Sequence, residues 1–203
     1  MTSLRDELAG TTQPGVSYTL LCPPGWAKVP PSALTDDAIV QGSLDTMKRA
    51  GRADLVLQFR SMLAQLRTTL RERGVFEVYV APATEDGVPL PAMLTVSPLV
   101  IPTGVTWDQA LARLAKGAPI EDAPADVELH LIRTESEFRD EAAAVQSRLL
   151  TYVAPVPGGD GRRALLFQFT VLSVDDENAA ELAEGLVFVG EAIMSTLRWR
   201  AAA

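Results

Sequence analysis

One histidine, one cysteine and three arginines at helical spacing are the residues of this 203-residue chain whose chemistry invites a site. His130 is the only imidazole, so any centre that needs two, including the HExxH zinc proteases, is excluded. It lies in the strand-like stretch DVELHLIR, where Glu128 and Ile132 share its side and Val127, Leu129 and Leu131 take the other. No serine or cysteine nucleophile can be assigned beside it. A solvated or hydrogen-bonded imidazole is the simpler reading; a general base is the sharper one, and it requires a cleft that brings an acid to the ring. Cys22 ends an apolar run and reads as a buried, inert thiol. Alone it forms no intrachain disulfide and no Cys-rich metal site. The chain has no G-x-S-x-G elbow, Walker A loop, G-x-G-x-x-G fingerprint or paired CxxC. PGGDG falls between two strands, with no helix N-terminus behind it, and so reads as a hairpin turn, not a phosphate cradle. Asp175, Asp176 and Glu177 open a helix, where the dipole accounts for them without a cation. No catalytic residue, metal ligand or cofactor is assigned.

The arginines stand apart. Leu55, Phe59, Met62, Leu63, Leu66 and Leu70 fall at offsets 0, 4, 7, 8, 11 and 15, one face of an α-helix over 54–73. Arg60, Arg67 and Arg71 keep their own 0, 7, 11 spacing and share a second face, and Gly74 closes the helix at C′. From Lys48 to Arg73 seven basic residues meet two acids, a segment of +5 that leaves −13 on the rest of a chain of net charge −8. Such a face is either solvated or a docking surface for an acidic protein partner, because the planar guanidinium fork suits carboxylates. Self-association between this segment and the acidic remainder is a third reading.

The elements that must position these residues follow from local patterns. Residues 1–16 read as a flexible lead-in. YTLLCPPGWAKVPP then begins as a strand and leaves the sheet at Pro24-Gly25-Trp26, since proline donates no ladder hydrogen bond. Residues 32–50 are weakly helical, with Ser32 or Thr35 as caps, and 32–73 reads as a helical insertion. VFEVYVAPA and PAMLTVSPLVI form a hairpin or near-hairpin, with Pro98 marking an edge or a bulge. Thr106 caps WDQALARLAKG, which ends at Gly117. Residues 134–148 are helical by propensity but flanked by strands, and sheet is preferred. LLTYVAPVP and RRALLFQFTVLS bracket the GGDG turn. The closing helix places Leu182, Leu186, Val189, Ile193 and Leu197 at core spacing, with Ser173 and Asp176 as a weak capping box. Hairpin-linked strands with segregated helices predict a single α+β domain over 17–203: a central antiparallel sheet flanked by helices, with a long C-terminal helix packed on it.

At this length folding should bury about 70% of the unfolded surface, so neither disulfide nor metal is required for stability. The acidic balance argues against nucleic-acid or anionic-membrane binding. No apolar run approaches the ~18 residues of a membrane span, and residues 1–15 lack the basic start and apolar core of a secretory signal. A cytoplasmic location without membrane insertion is expected. The excess of arginine over lysine and the abundant alanine hint at a bacterial source.

YTLLCPPGWAKVP, LLTYVAPVPGGDGRRALLFQFTVLS and a terminal helix ending in MSTLRW, together about half of the chain, resemble the PsbP-like superfamily. That group includes the extrinsic photosystem II subunit, a Ran-binding nuclear-import factor and bacterial LpqN-type lipoproteins. Residues 1–15 do not show the signal peptide and lipobox cysteine of the lipoprotein members, so an envelope role is not expected. The resemblance implies that Pro24, Gly25 and Trp26 form a structural anchor, the tryptophan packing on the sheet, and that the protein acts by binding other proteins. The leading expectation is a non-enzymatic interaction module; a narrower form, resting on analogy alone, is an accessory or chaperone of a bacterial secretion machine. Two alternatives remain: a small-molecule binder with an apolar pocket between sheet and helices, and an uncharacterised enzyme using His130.

Overall fold

A computed structural model describes residues 16–35, 64–82, 90–140, 143–158, 161–174 and 177–200. The strands are β1 (Ser17–Thr19), β2 (Ala27–Val29), β3 (Glu77–Val80), β4 (Ala92–Val100), β5 (Ile120–Asp122), β6 (His130–Asp140), β7 (Ala143–Pro155), β8 (Arg163–Val174) and β9 (Arg198–Arg200). The helices are α1 (64–72), α2 (Trp107–Ala115) and α3 (Glu177–Ser195), with a 3-10 turn at Pro31–Thr35. Seven strands form one antiparallel sheet in the order β2-β3-β4-β8-β7-β6-β5, while β1 and β9 pair as a separate two-stranded ribbon. This is an α+β domain with its C-terminal helix laid on the sheet.

Alternation along the strands divides the sheet into two faces. Leu94 and Val96 of β4, Phe167 and Phe169 of β8, Leu150 and Tyr152 of β7 and Leu131 of β6 are neighbours on the first face and are buried. α3 covers them with Ala183, Leu186, Ile193 and Met194. The helix comes so close at Gly190 that a Cβ there would lie 2.6 Å from the Phe169 ring. The core side of α3 therefore runs through 183, 186, 190, 193 and 194. Leu182, expected in the core, is 44% exposed, because the small residues Ala183 and Gly190 let the helix roll toward them.

The second face mixes apolar and polar residues. Thr95, Gln168 and Thr151 stand side by side across β4, β8 and β7, the two threonines buried. α2 closes one end of this face, Leu111 packing on Val153 and Ala164. Its start is fixed by a capping box in which Thr106 Oγ1 accepts from the Gln109 N–H and the Gln109 side chain accepts from the Thr106 N–H. It stops at Lys116, which adopts a left-handed conformation at φ 49° just before Gly117.

Pro98 lies within β4, a central strand, yet breaks no pairing. The ladder with β3 ends at Val96, so beyond it β4 is locally an edge. Val75, which would sit opposite Pro98, instead donates its N–H to the Leu70 carbonyl at the end of α1. Residues 134–140 and 143–148 are strand, held by the long β6–β7 pairing from His130↔Val153 to Asp140↔Ala143, and 141–142 lie outside the described residues. Ser173 is a buried strand residue opposite Gln146, not a helix cap. Its place in the β7–β8 ladder overrides the local capping signal.

Candidate partner-binding groove

α1 ends in a Schellman motif, Val75 donating to the Leu70 carbonyl at 2.9 Å and Gly74 to the Arg71 carbonyl at 3.0 Å, with Gly74 at φ +62°. This closure turns the chain sharply into β3 and sets Val75 beside Leu70. An open groove of ≈ 540 Å³ results, lined by Pro31, Ser32, Arg67, Leu70, Arg71 and Val75. Arg67 and Arg71 are exposed and one helical turn apart, so their guanidinium groups flank a largely apolar floor. The next arginine, Arg73, is committed to the sheet and donates to Gln168 Oε1 at 3.1 Å on the second face. Arg60, Leu55, Phe59, Met62 and Leu63 lie outside the described residues. Two cations around an apolar floor can hold an acidic segment that presents one apolar side chain between carboxylates.

The Pro24-Gly25-Trp26 corner lies elsewhere, beside the β2–β3 edge. Trp26 donates its backbone N–H to Pro23, closing the turn, and its half-buried ring packs 5.9 Å from that of Phe169. Gly25 sits at φ +87°, and a Cβ there would come within 2.9 Å of the Pro82 ring. Pro24 is exposed, and Cys22 is half-buried, its thiol pKa raised by burial.

The corner delivers β2 to a polar cluster that sequence reasoning missed. Glu77 of β3 accepts from the Tyr18 hydroxyl and, at 3.3 Å, from the Tyr79 hydroxyl, and pairs with Lys28 Nζ at 2.7 Å. Burial by itself would raise the Glu77 pKa, but the bonds from Lys28 and Tyr18 outweigh it and hold the carboxyl below its ordinary range. Burial first, and then the bond to Glu77, pushes the Tyr18 hydroxyl far up, so it stays a donor. The Tyr18 ring also stands edge-on to Phe167, at 5.2 Å. The only signal in the sequence was an acid within the β-rich run VFEVYV.

His130 is neither isolated nor fully exposed. Its Nδ1 lies 3.2 Å from Asp122, its Nε2 lies 3.2 Å from Glu128, and Trp107 Nε1 approaches Nε2 at 3.3 Å. Nε2 accepts from the indole N–H only in the tautomer with the ring proton on Nδ1, and in that form it makes no hydrogen bond to Glu128. The Trp107–His130 contact ties the first residue of α2 to the first residue of β6. Both carboxylates are largely exposed, at 93% and 64%, and none of the three partners is a serine or a cysteine. Among the described residues no three of His, Cys, Asp and Glu are grouped to hold a metal ion, and no helix is long and apolar enough to cross a membrane.

No family model matches the chain, and no curated protein matches it. Among solved structures, a crystal structure from Bacteroides thetaiotaomicron VPI-5482 is similar over 63% of this chain and 39% of its own, at 15% identity and a TM-score of 0.37. The chain thus spans well under half the length of that protein, and the likeness at this level bears on neither fold nor function.

Proposed function

We propose that this chain is a non-enzymatic, cytoplasmic protein-interaction module of the PsbP-like kind, whose groove beside α1 binds an acidic segment of a protein partner. The observation that carries the reading is the pairing of Arg67 and Arg71 with the apolar floor of Leu70, Val75 and Pro31. Charge supplies encounter and register, and the apolar floor supplies the part of the affinity that salt does not screen. Arg67 and Arg71 belong to a segment, Lys48 to Arg73, that carries +5 in a chain otherwise at −13, a balance that favours an acidic partner. A role as accessory or chaperone of a bacterial secretion machine is the narrower form of the same proposal and rests on the family resemblance.

The test is a titration with a fluorescein-labelled glutamate-rich peptide carrying one phenylalanine, read by anisotropy. The wild type is expected to bind, more weakly at higher salt. Arg67→Glu with Arg71→Glu weakens binding by about tenfold or more, as does replacing the peptide's phenylalanine by serine. Equal binding by the double variant, with its fold verified by circular dichroism, overturns the proposal.

A further inference from the structure

α3 carries a second surface that the fold leaves uncovered. Phe188 is 71% exposed and Leu182 44% exposed, in a helix whose core contacts are already made on its other side. Glu181, Glu184, Phe188 and Glu191 fall at offsets 0, 3, 7 and 10, so one stripe of α3 presents a phenylalanine among glutamates. Glu184 and Glu191 are pre-positioned by Arg148, at 2.6 Å, and by Arg133. Next to the stripe Gly185 leaves a shallow apolar depression bounded by Leu182, Leu186 and Val189.

This is the chemistry the groove beside α1 is built to accept: an apolar knob between carboxylates, against an apolar floor between guanidinium groups. We infer that the acidic face of α3 in one copy of this chain docks, through Phe188, into the Arg67–Arg71 groove of a second copy. The inference rests on the proposed function of the groove and names its occupant.

Geometry determines the form of the assembly. α3 covers the first face of the sheet, over Phe167 and Phe169. α1 is tied through Arg73 to Gln168, which alternation places on the second face. Donor and acceptor therefore lie on opposite sides of the molecule, and the contact is head-to-tail. Two joined copies still expose one groove and one α3 face, so association continues past the dimer.

Sedimentation velocity on the wild-type chain across a range up to millimolar concentration is expected to show mass rising with concentration beyond that of a dimer, and falling with salt. Arg67→Glu with Arg71→Glu, and separately Phe188→Ser, should each be monomeric, because each removes one half of the contact. All of these positions are exposed, and circular dichroism verifies the folds. An equimolar mixture of the two variants should yield a one-to-one dimer and nothing larger, since the intact groove of one meets the intact helix of the other. Glu181→Arg introduced into the groove variant should restore part of the association. A monomeric wild type, self-association that survives either variant, or a mixture that fails to pair overturns the inference. The peptide titration separates the two readings: a monomeric wild type that still binds the acidic peptide through its arginines retains the groove and discards the second copy as its occupant.

Discussion

At Glu77 three donors, the Tyr18 and Tyr79 hydroxyls and the Lys28 ammonium, converge on one half-buried carboxylate. The carboxylate belongs to β3, while Tyr18 and Lys28 arrive on β1 and β2, so one ionised group fastens three strands. A carboxyl held below its ordinary pKa in the fold contributes stability that is fully present above its unfolded value, about 4.3, and lost as pH falls through the folded value. Glu77→Gln keeps the shape and removes the charge. The variant should be less stable than wild type by about 1.5–3 kcal/mol at pH 7, the worth of hydrogen bonds to a charged group. Urea melts at pH 7 and again near pH 3 check this, and the gap between the two proteins should shrink at the lower pH. A gap of unchanged size in acid would mean that the carboxylate's charge is not what holds the three strands. Tyr79 is two residues from Glu77, but Tyr18 is 59 residues away, and only the folded sheet brings Tyr18 and Glu77 together.

Elements whose ends are written in local chemistry were the legible ones. Gly74 as the C′ residue of α1 and Thr106 as the cap of α2 each need only a few neighbouring residues to be understood, and both stand where the sequence pattern puts them. The face of α3 was harder. Its apolar residues go most of the way round, so spacing alone allowed Leu182 into the core, and only the close approach of Gly190 to Phe169 selects the other roll. Residues 134–140 and 143–148 are a further case, since their helical propensity yields to strand pairing along β6 and β7. Of the proposed groove, Arg67 and Arg71 could be read from helical spacing. Pro31 and Ser32 could not, because they stand far before the arginines in sequence, whereas Val75 follows Arg71 directly after the Gly74 turn. Gly74 determines that geometry. A Cβ at this position would meet Pro98 at 3.6 Å, an ordinary contact, so Gly74→Ala is penalised by its left-handed backbone and not by crowding. The substitution should cost about 1 kcal/mol in chemical denaturation. It should also weaken acidic-peptide binding, because the Schellman turn sets Val75 against Leu70. Loss of stability with unchanged peptide affinity would show that the groove does not depend on the way α1 ends.

For the molecule as a whole, the consequential pairing is the one between its described ends. β1 and β9 lie nearly the full chain apart in sequence, yet Tyr18 stands opposite Trp199, and the Leu21 N–H reaches Thr196 Oγ1 at 2.8 Å. No turn signal marks such a ribbon, since neither three-residue strand carries a pattern of its own and their meeting depends on α3 already lying on the sheet. In the large sheet β3-β4 and β5-β6-β7-β8 pair in chain order and join across the β4–β8 ladder, whereas this ribbon is a clasp added from outside, and it presents Tyr18 both to Phe167 and to Glu77. The clasp should therefore open before the sheet does. Trp199 is half-buried against the core, so Trp199→Ala removes apolar contact and loosens β1 together. A loss of about 1–3 kcal/mol is expected, less than for a fully buried tryptophan. Native-state hydrogen exchange provides the sharper readout. In the variant the amides of β1 and Leu21 should lose protection by local opening, while those of β7 and β8 still exchange only on global unfolding. If instead every amide loses protection equally, the ribbon belongs to the cooperative core, and the Glu77 cluster must be counted with the sheet and not with the clasp.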